Sequence, residues 1–152
     1  MIKVNVVVNT KSWKKKIKNP NIYFNKKLKK ISKNIHILQK KNIIFTILLT
    51  NSTEIKKLNK KFRNKNKPTD VLSFPYFSYK NLKKIKDKNL YIGDIAVSYE
   101  IIKFRSKKNN FSLEFDKVWV HGFLHLLGYD HIKNKDYSKM IKIEKKITNL
   151  IL

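Results

Sequence analysis

Apolar positions along the chain fall into two rhythms, and their alternation outlines the fold. Ile2 to Asn9 alternates apolar with polar residues and is rich in valine, a period of two that predicts a strand. Asn19-Pro20 then reads as an N-cap followed by proline at the first helical position. Phe24, Leu28, Ile31, Ile35 and Leu38 follow at helical spacing, which predicts a helix from Pro20 to about Leu38. Asn42 to Thr50 has the β-branched, mostly apolar character of a central strand, and Asn51 or Ser52 can cap a helix running to Phe62. Asp70 to Tyr76 and Tyr91 to Tyr99 read as two further strands. The lysine-rich stretch Lys80 to Asn89 between them reads as a solvated loop or as a strand connection that grips a partner.

The last third of the chain is helical in pattern. Ser112 can cap a helix whose first turn carries Glu114 and Asp116, both favourable against the positive end of the helix dipole. From Val118 to Leu127 this helix is apolar nearly all round, the mark of a buried element, and Gly128 is placed to end it in a left-handed conformation. Tyr137, Met140, Ile141, Ile147 and Ile151 mark a last amphipathic helix from about Asp136. No repeat or linker interrupts the series, and 152 residues suit one domain. The expectation is a single α+β domain over residues 1–152, with a mixed sheet of about four strands packed with about five helices.

Composition narrows the chemistry. Without cysteine there are neither disulfides nor thiolate metal sites, so a transition-metal site must draw on carboxylates and the four histidines. No apolar stretch approaches the ~20 residues that span a bilayer, so no membrane partner is expected and the cytoplasm is the expected compartment. The net charge is +26, and no acidic residue precedes Glu54. A surface of that sign attracts polyanions, and nucleic acid binds it through counterion release with little reading of sequence. Of the 36 basic residues, however, only Arg63 and Arg105 are arginine. The other 34 are lysine in a chain also rich in Ile and Asn, as codon bias in an AT-rich genome would produce without selection for binding.

The densest chemistry lies in His121-Gly-Phe-Leu-His-Leu-Leu-Gly-Tyr-Asp-His131, which holds three of the four histidines. His121 and His125, four apart on a helix, stand one above the other, ~5–6 Å apart at Cβ, as two ligands of one ion require. The turn at Gly128 swings His131 back as a third ligand, and one zinc ion per chain is the expected cofactor, although three imidazoles also accept nickel or copper. Left unpaired on a buried helix, the two imidazoles would cost several kcal/mol. The same histidine spacing occurs in the zinc helix of metzincin proteases, whose glutamate after the first histidine acts as general base. Gly122 occupies that position here and cannot move a proton.

The histidine block, together with Leu58-Asn59, Arg63, Pro68-Thr-Asp-Val-Leu-Ser-Phe74, Gly93-Asp-Ile95, Met140 and Glu144, closely resembles the YbeY family of bacterial endoribonucleases. The resemblance runs in ordered blocks from about Leu58 to the C-terminus, and the first 50 residues match mainly in pattern. It implies a zinc-dependent, single-strand-specific endoribonuclease acting on ribosomal RNA of the small subunit, in maturation of the 3′ end of 16S rRNA and in quality control of the 70S ribosome. It also implies that His121, His125 and His131 are the zinc ligands and that Arg63 is a functional arginine. The residues themselves agree with that role for Arg63, because a guanidinium fork grips two phosphate oxygens where lysine offers a point charge.

Several residues keep two readings. Asp130 either orients a ligand histidine or closes the turn after Gly128. Asp94, after Gly93, reads as no more than a strand start, and His36 reads as a surface residue rather than a fourth ligand. Tyr76, Phe77 and Tyr79 stack on unpaired bases or pack at a strand end. Two other functions stand beside the nuclease: a ribosome assembly factor with a structural zinc, and a zinc peptidase, which Gly122 weakens.

Overall fold

The computed structural model describes residues 1–34 and 41–152. Four strands, β1 (Ile2–Val8), β2 (Asn42–Thr50), β3 (Val71–Pro75) and β4 (Asn89–Ser98), form one sheet in the order β1-β2-β4-β3. β1, β2 and β4 run parallel, and β3 pairs antiparallel with β4 at the edge. Two-residue periodicity places Ile43, Phe45, Ile47 and Leu49 of β2 on the buried face. The helices that fill that side are α2 (Pro20–Asn34), α6 (Phe111–Leu126) and α7 (Asn134–Ile151), whereas α3 (Ser52–Arg63) contacts β3, β4 and the short helix α5 (Tyr99–Arg105). Two other short helices are α1 (Ser12–Lys16) and α4 (Tyr79–Lys84), and a 3-10 turn spans Ser106–Lys108. Among the described residues no helix is long and apolar enough to cross a membrane.

The expected α+β sheet and the long helices are present, and several local expectations are corrected. The far end of the helix begun at Pro20 and the histidine at position 36 lie outside the described residues. The stretch expected as a loop from Lys80 begins within α4, and Tyr99, expected to end a strand, begins α5. Asn110, not Ser112, caps α6: its side chain accepts the backbone N–H of Ser112 at 2.7 Å. Asp116 does not serve the helix dipole. It is 1% exposed and accepts hydrogen bonds from Tyr23 Oη (2.7 Å), Lys27 Nζ (2.7 Å) and Trp119 Nε1 (2.9 Å), so its charge is compensated inside the protein. Lys27 also donates to the Ile151 carbonyl at 3.0 Å, which ties α2, α6 and α7 together through one buried cation.

Two glycines allow close packing where the site is built. Gly93 takes φ +134° beside the register shift between β2 and β4, and a Cβ there would lie 2.2 Å from the Phe74 carbonyl. Only glycine keeps β3 at that distance. Gly122 faces the sheet from α6, where a Cβ would meet Val71 at 3.0 Å and Ile95 and Ser73 at 3.1 Å. The Ser73 hydroxyl donates to the Gly122 carbonyl at 3.1 Å, fastening the buried helix to the edge strand. The position where a metzincin carries its glutamate is thus pressed against β3 and β4.

Candidate metal centre

α6 is apolar on most of its surface, and His121 and His125 stand half-buried one turn apart on it. The helix ends as expected: Gly128 takes φ +86°, its N–H reaches the His125 carbonyl at 3.0 Å, and Tyr129 N–H reaches the Leu124 carbonyl at 3.0 Å. This turn brings the exposed His131 back over the helix, so that one ring nitrogen from each of the three histidines lies within 4.8 Å of the others. Asp130 closes the turn, accepting the His131 backbone N–H at 2.7 Å.

The ring nitrogens facing away from the cluster decide its chemistry. His121 Nδ1 lies 3.1 Å from Glu144 Oε2 on α7, and His125 Nδ1 lies 2.9 Å from the Tyr129 carbonyl. A carboxylate and a carbonyl accept, so both Nδ1 atoms carry a proton and, in the neutral imidazoles, both Nε2 atoms present lone pairs. Those two Nε2 atoms face each other at 3.1 Å. A proton on either ring makes that contact an ordinary hydrogen bond, and its spacing also approaches the ~3.4 Å between two ligands of one tetrahedral ion at ~2.0–2.1 Å. The donor set therefore fits a metal ion, with its imidazoles already held in the ligating tautomer. Burial, and then the neighbouring His121 and His131, push the His125 pKa below 6.5, while the Tyr129 carbonyl and Asp130 pull weakly the other way.

A cleft of about 860 Å³ opens over the histidines, and its walls include Arg63, Asp70, Arg105, Lys117 and Glu144. Arg63 arrives from the end of α3, where Asn64 takes a left-handed φ of 55° and stops the helix. Buried Asn59 donates to the Lys67 carbonyl at 2.8 Å and pins the following loop. Arg63 Nη2 reaches the Ser73 carbonyl at 3.3 Å. That carbonyl points away from the sheet, because the β3–β4 hydrogen bonds use alternate residues: Ser98 N–H donates to Asp70 O, and Tyr76 N–H to Ile92 O, each at 2.9 Å.

The fold thus brings Arg63 and all three histidines to one cleft, although the arginine comes from the opposite side of the sheet. Asp94 is elsewhere: it lies within β4 and accepts from Tyr91 Oη at 2.6 Å, away from the cleft lining. Phe77 lines the cleft, Tyr76 is 71% exposed beside it, and Tyr79 begins α4. Residue-by-residue reading overlooked two contributors. Glu144 drew notice only as part of a family pattern, yet it is a carboxylate between the apolar positions Ile143 and Ile147, where a helix turns inward. Arg105 had one available signal, its identity as the second of two arginines.

These features define a class: α+β proteins with a three-histidine centre on a buried helix, set against an antiparallel edge strand and an arginine-bearing cleft. The chain matches the family model described as Endoribonuclease YbeY over residues 7–151. The Endoribonuclease YbeY of Pelagibacter ubique is 53% identical over 156 residues, covering 99% of this chain and 97% of that protein. That of Buchnera aphidicola subsp. Acyrthosiphon pisum is 41% identical over 148 residues, covering 94% and 89%. Among solved structures, the solution structure of TM1509 from Thermotoga maritima superposes with a TM-score of 0.63 at 27% identity, covering 99% of this chain and 89% of that one. The chain belongs to the YbeY endoribonuclease family.

Proposed function

We propose that residues 1–152 form one metal-dependent, single-strand-specific endoribonuclease domain, with zinc as its metal and ribosomal RNA as its substrate. In this reading it trims the 3′ end of 16S rRNA, associates with the small ribosomal subunit and takes part in quality control of the 70S ribosome. Family membership supports RNA cleavage. The observation that carries the reading is the convergence of three imidazoles, one ring nitrogen of each within 4.8 Å of the others, in the same cleft as an arginine.

His121, His125 and His131 would hold the ion, which would supply Lewis-acid charge at the scissile phosphate. The chain's own groups do the rest. Glu144 and the Tyr129 carbonyl keep the two helical imidazoles from rotating, so the donor set is preorganised. Arg63 places its fork toward non-bridging phosphate oxygens and stabilises the charge that builds as the substrate's 2′-hydroxyl bonds to phosphorus and the P–O5′ bond breaks, solvent water taking the hydroxyl proton and returning one to the departing 5′-oxygen. The attacking group belongs to the substrate, so the protein supplies position and charge rather than a nucleophile. Gly122, packed on the sheet, leaves no room for the glutamate on which a metzincin peptidase depends.

The test is metal content and cleavage of single-stranded RNA by the wild type, His121→Ala and Arg63→Ala at one salt concentration. About one zinc per wild-type chain, with cleavage lost in both variants and metal lost only in His121→Ala, is the expected pattern. Equal cleavage by all three proteins would assign the activity to a contaminant and leave a structural metal site in an assembly factor.

A further inference from the structure

Resting on that reading, we infer that Arg105 is a second RNA-backbone contact, gripping a phosphate other than the one held at Arg63. The two arginines of a chain with 34 lysines lie far apart in sequence, one ending α3 and the other ending α5, yet both line the cleft over the histidines. A bias toward lysine replaces arginine wherever a point charge suffices. Two arginines facing the same cleft mark positions where the planar fork itself is used.

The local geometry suits that use. Arg105 Nη1 donates to Asp70 Oδ2, and no other hydrogen bond to the guanidinium occurs among the described residues. Asp70 is held in turn, its Oδ1 accepting Val71 N–H at 2.8 Å and the Thr69 hydroxyl at 3.2 Å. One corner of the fork is therefore fixed while the side chain stays 50% exposed, with donors left for a phosphate. If the pair with Asp70 were the sole purpose, lysine would serve, and an exposed pair of this kind contributes little to stability.

The two arginines are also spaced for separate phosphates. Arg63 is anchored at Ser73 and Arg105 at Asp70, three residues apart along the edge strand. At ~3.3 Å per residue the anchors lie about 10 Å apart. A single strand laid along β3 would meet one fork near the histidines and the other upstream or downstream of them. Arg105 thus acts on binding and placement of the strand, with the bond-breaking charge left to Arg63.

The experiment compares wild type, Arg105→Ala, Arg105→Lys and, as a charge-matched control on the edge strand β1, Lys3→Ala. It uses a single-stranded RNA oligonucleotide and records KM, kcat, the salt dependence of binding and thermal stability. Arg105→Ala is expected to raise KM about fivefold or more with kcat nearly unchanged, and to flatten the log–log salt dependence of binding by about 0.7, the loss of one single-strand phosphate contact. Arg105→Lys, which keeps the charge and can keep the Asp70 pair, is expected to recover stability but only part of the binding. Binding by Arg105→Ala equal to that of Lys3→Ala would overturn the inference and reduce Arg105 to a latch between α5 and β3. A wild type that neither cleaves nor binds single-stranded RNA would overturn the nuclease reading itself, and the inference with it.

Discussion

The Nδ1 atom of His121 lies 3.1 Å from the carboxylate of Glu144, a residue 23 positions further on and in a different helix. This contact sets the tautomer of one histidine from outside the histidine motif, so the readiness of the triad to hold a metal would depend on α7 as well as α6. Glu144→Ala is expected to weaken metal binding about 10–100-fold, with Glu144→Gln, which still offers an oxygen acceptor, recovering part of the loss. Competition against a chromogenic chelator measures it. Unchanged affinity in Glu144→Ala would show that His121 is oriented without its partner.

Arg63→Lys tests the fork rather than the charge. It is expected to retain metal and fold while kcat falls about 10²-fold or more, as when a preorganised donor to the transition state is removed. Single-turnover RNA cleavage at fixed salt reports it, and a rate within twofold of wild type would assign Arg63 a simple electrostatic role.

Gly122→Glu restores the residue that metzincin peptidases carry, at a place where even a Cβ meets Val71, Ile95 and Ser73 at 3.0–3.1 Å. The variant is expected to lose about 3 kcal/mol or more of stability through overpacking and a buried charge, and to gain no peptide hydrolysis. Denaturant unfolding and a peptide-cleavage assay check both halves.

Asp116 compensates the nearly buried Lys27, whose side chain is 14% exposed. Asp116→Ala leaves that cation without its partner and is expected to cost about 3–5 kcal/mol, measured by urea unfolding. A smaller loss would mean that the Ile151 carbonyl and water suffice for Lys27.

The phenol of Tyr23 belongs to the same network, and burial, with the Asp116 charge next, raises its pKa far above 10. The native state therefore keeps the Tyr23 proton at pH values where the unfolded chain releases it. The stability this contributes is full below about pH 10 and declines as pH rises above it. Alkaline titration of the native protein by tyrosinate absorbance should leave Tyr23 un-ionised, and Tyr23→Phe should flatten the fall in stability above that pH.

Legibility followed the length of each pattern. β2 was readable to its end residues, since nine mostly apolar residues rich in β-branched side chains leave little choice, and the buried character of α6 was equally plain. The helices α1, α4 and α5, of five, six and seven residues, are too short for a 3.6-residue period to show. Asp116 misled because a carboxylate near a helix start suits the dipole, and only the packing of α2 reveals that it is buried. The three histidines were legible because all their geometry is local to one helix and one turn. The contributions of Glu144 and Arg105 depend on contacts across 23 and 35 residues, which no local pattern carries.

The cation at Lys27, clasped between Asp116 and the Ile151 carbonyl, has a consequence for newly made chains. A polypeptide leaves the ribosome N-terminus first, so α2 emerges early and waits with its lysine unmatched until α6 and then α7 follow. Glu144, which orients His121, arrives on that same final helix. The histidine centre therefore gains its oriented donors only once α7 has docked on α6, so the packing that clasps Lys27 and the packing that readies the histidines are one folding event.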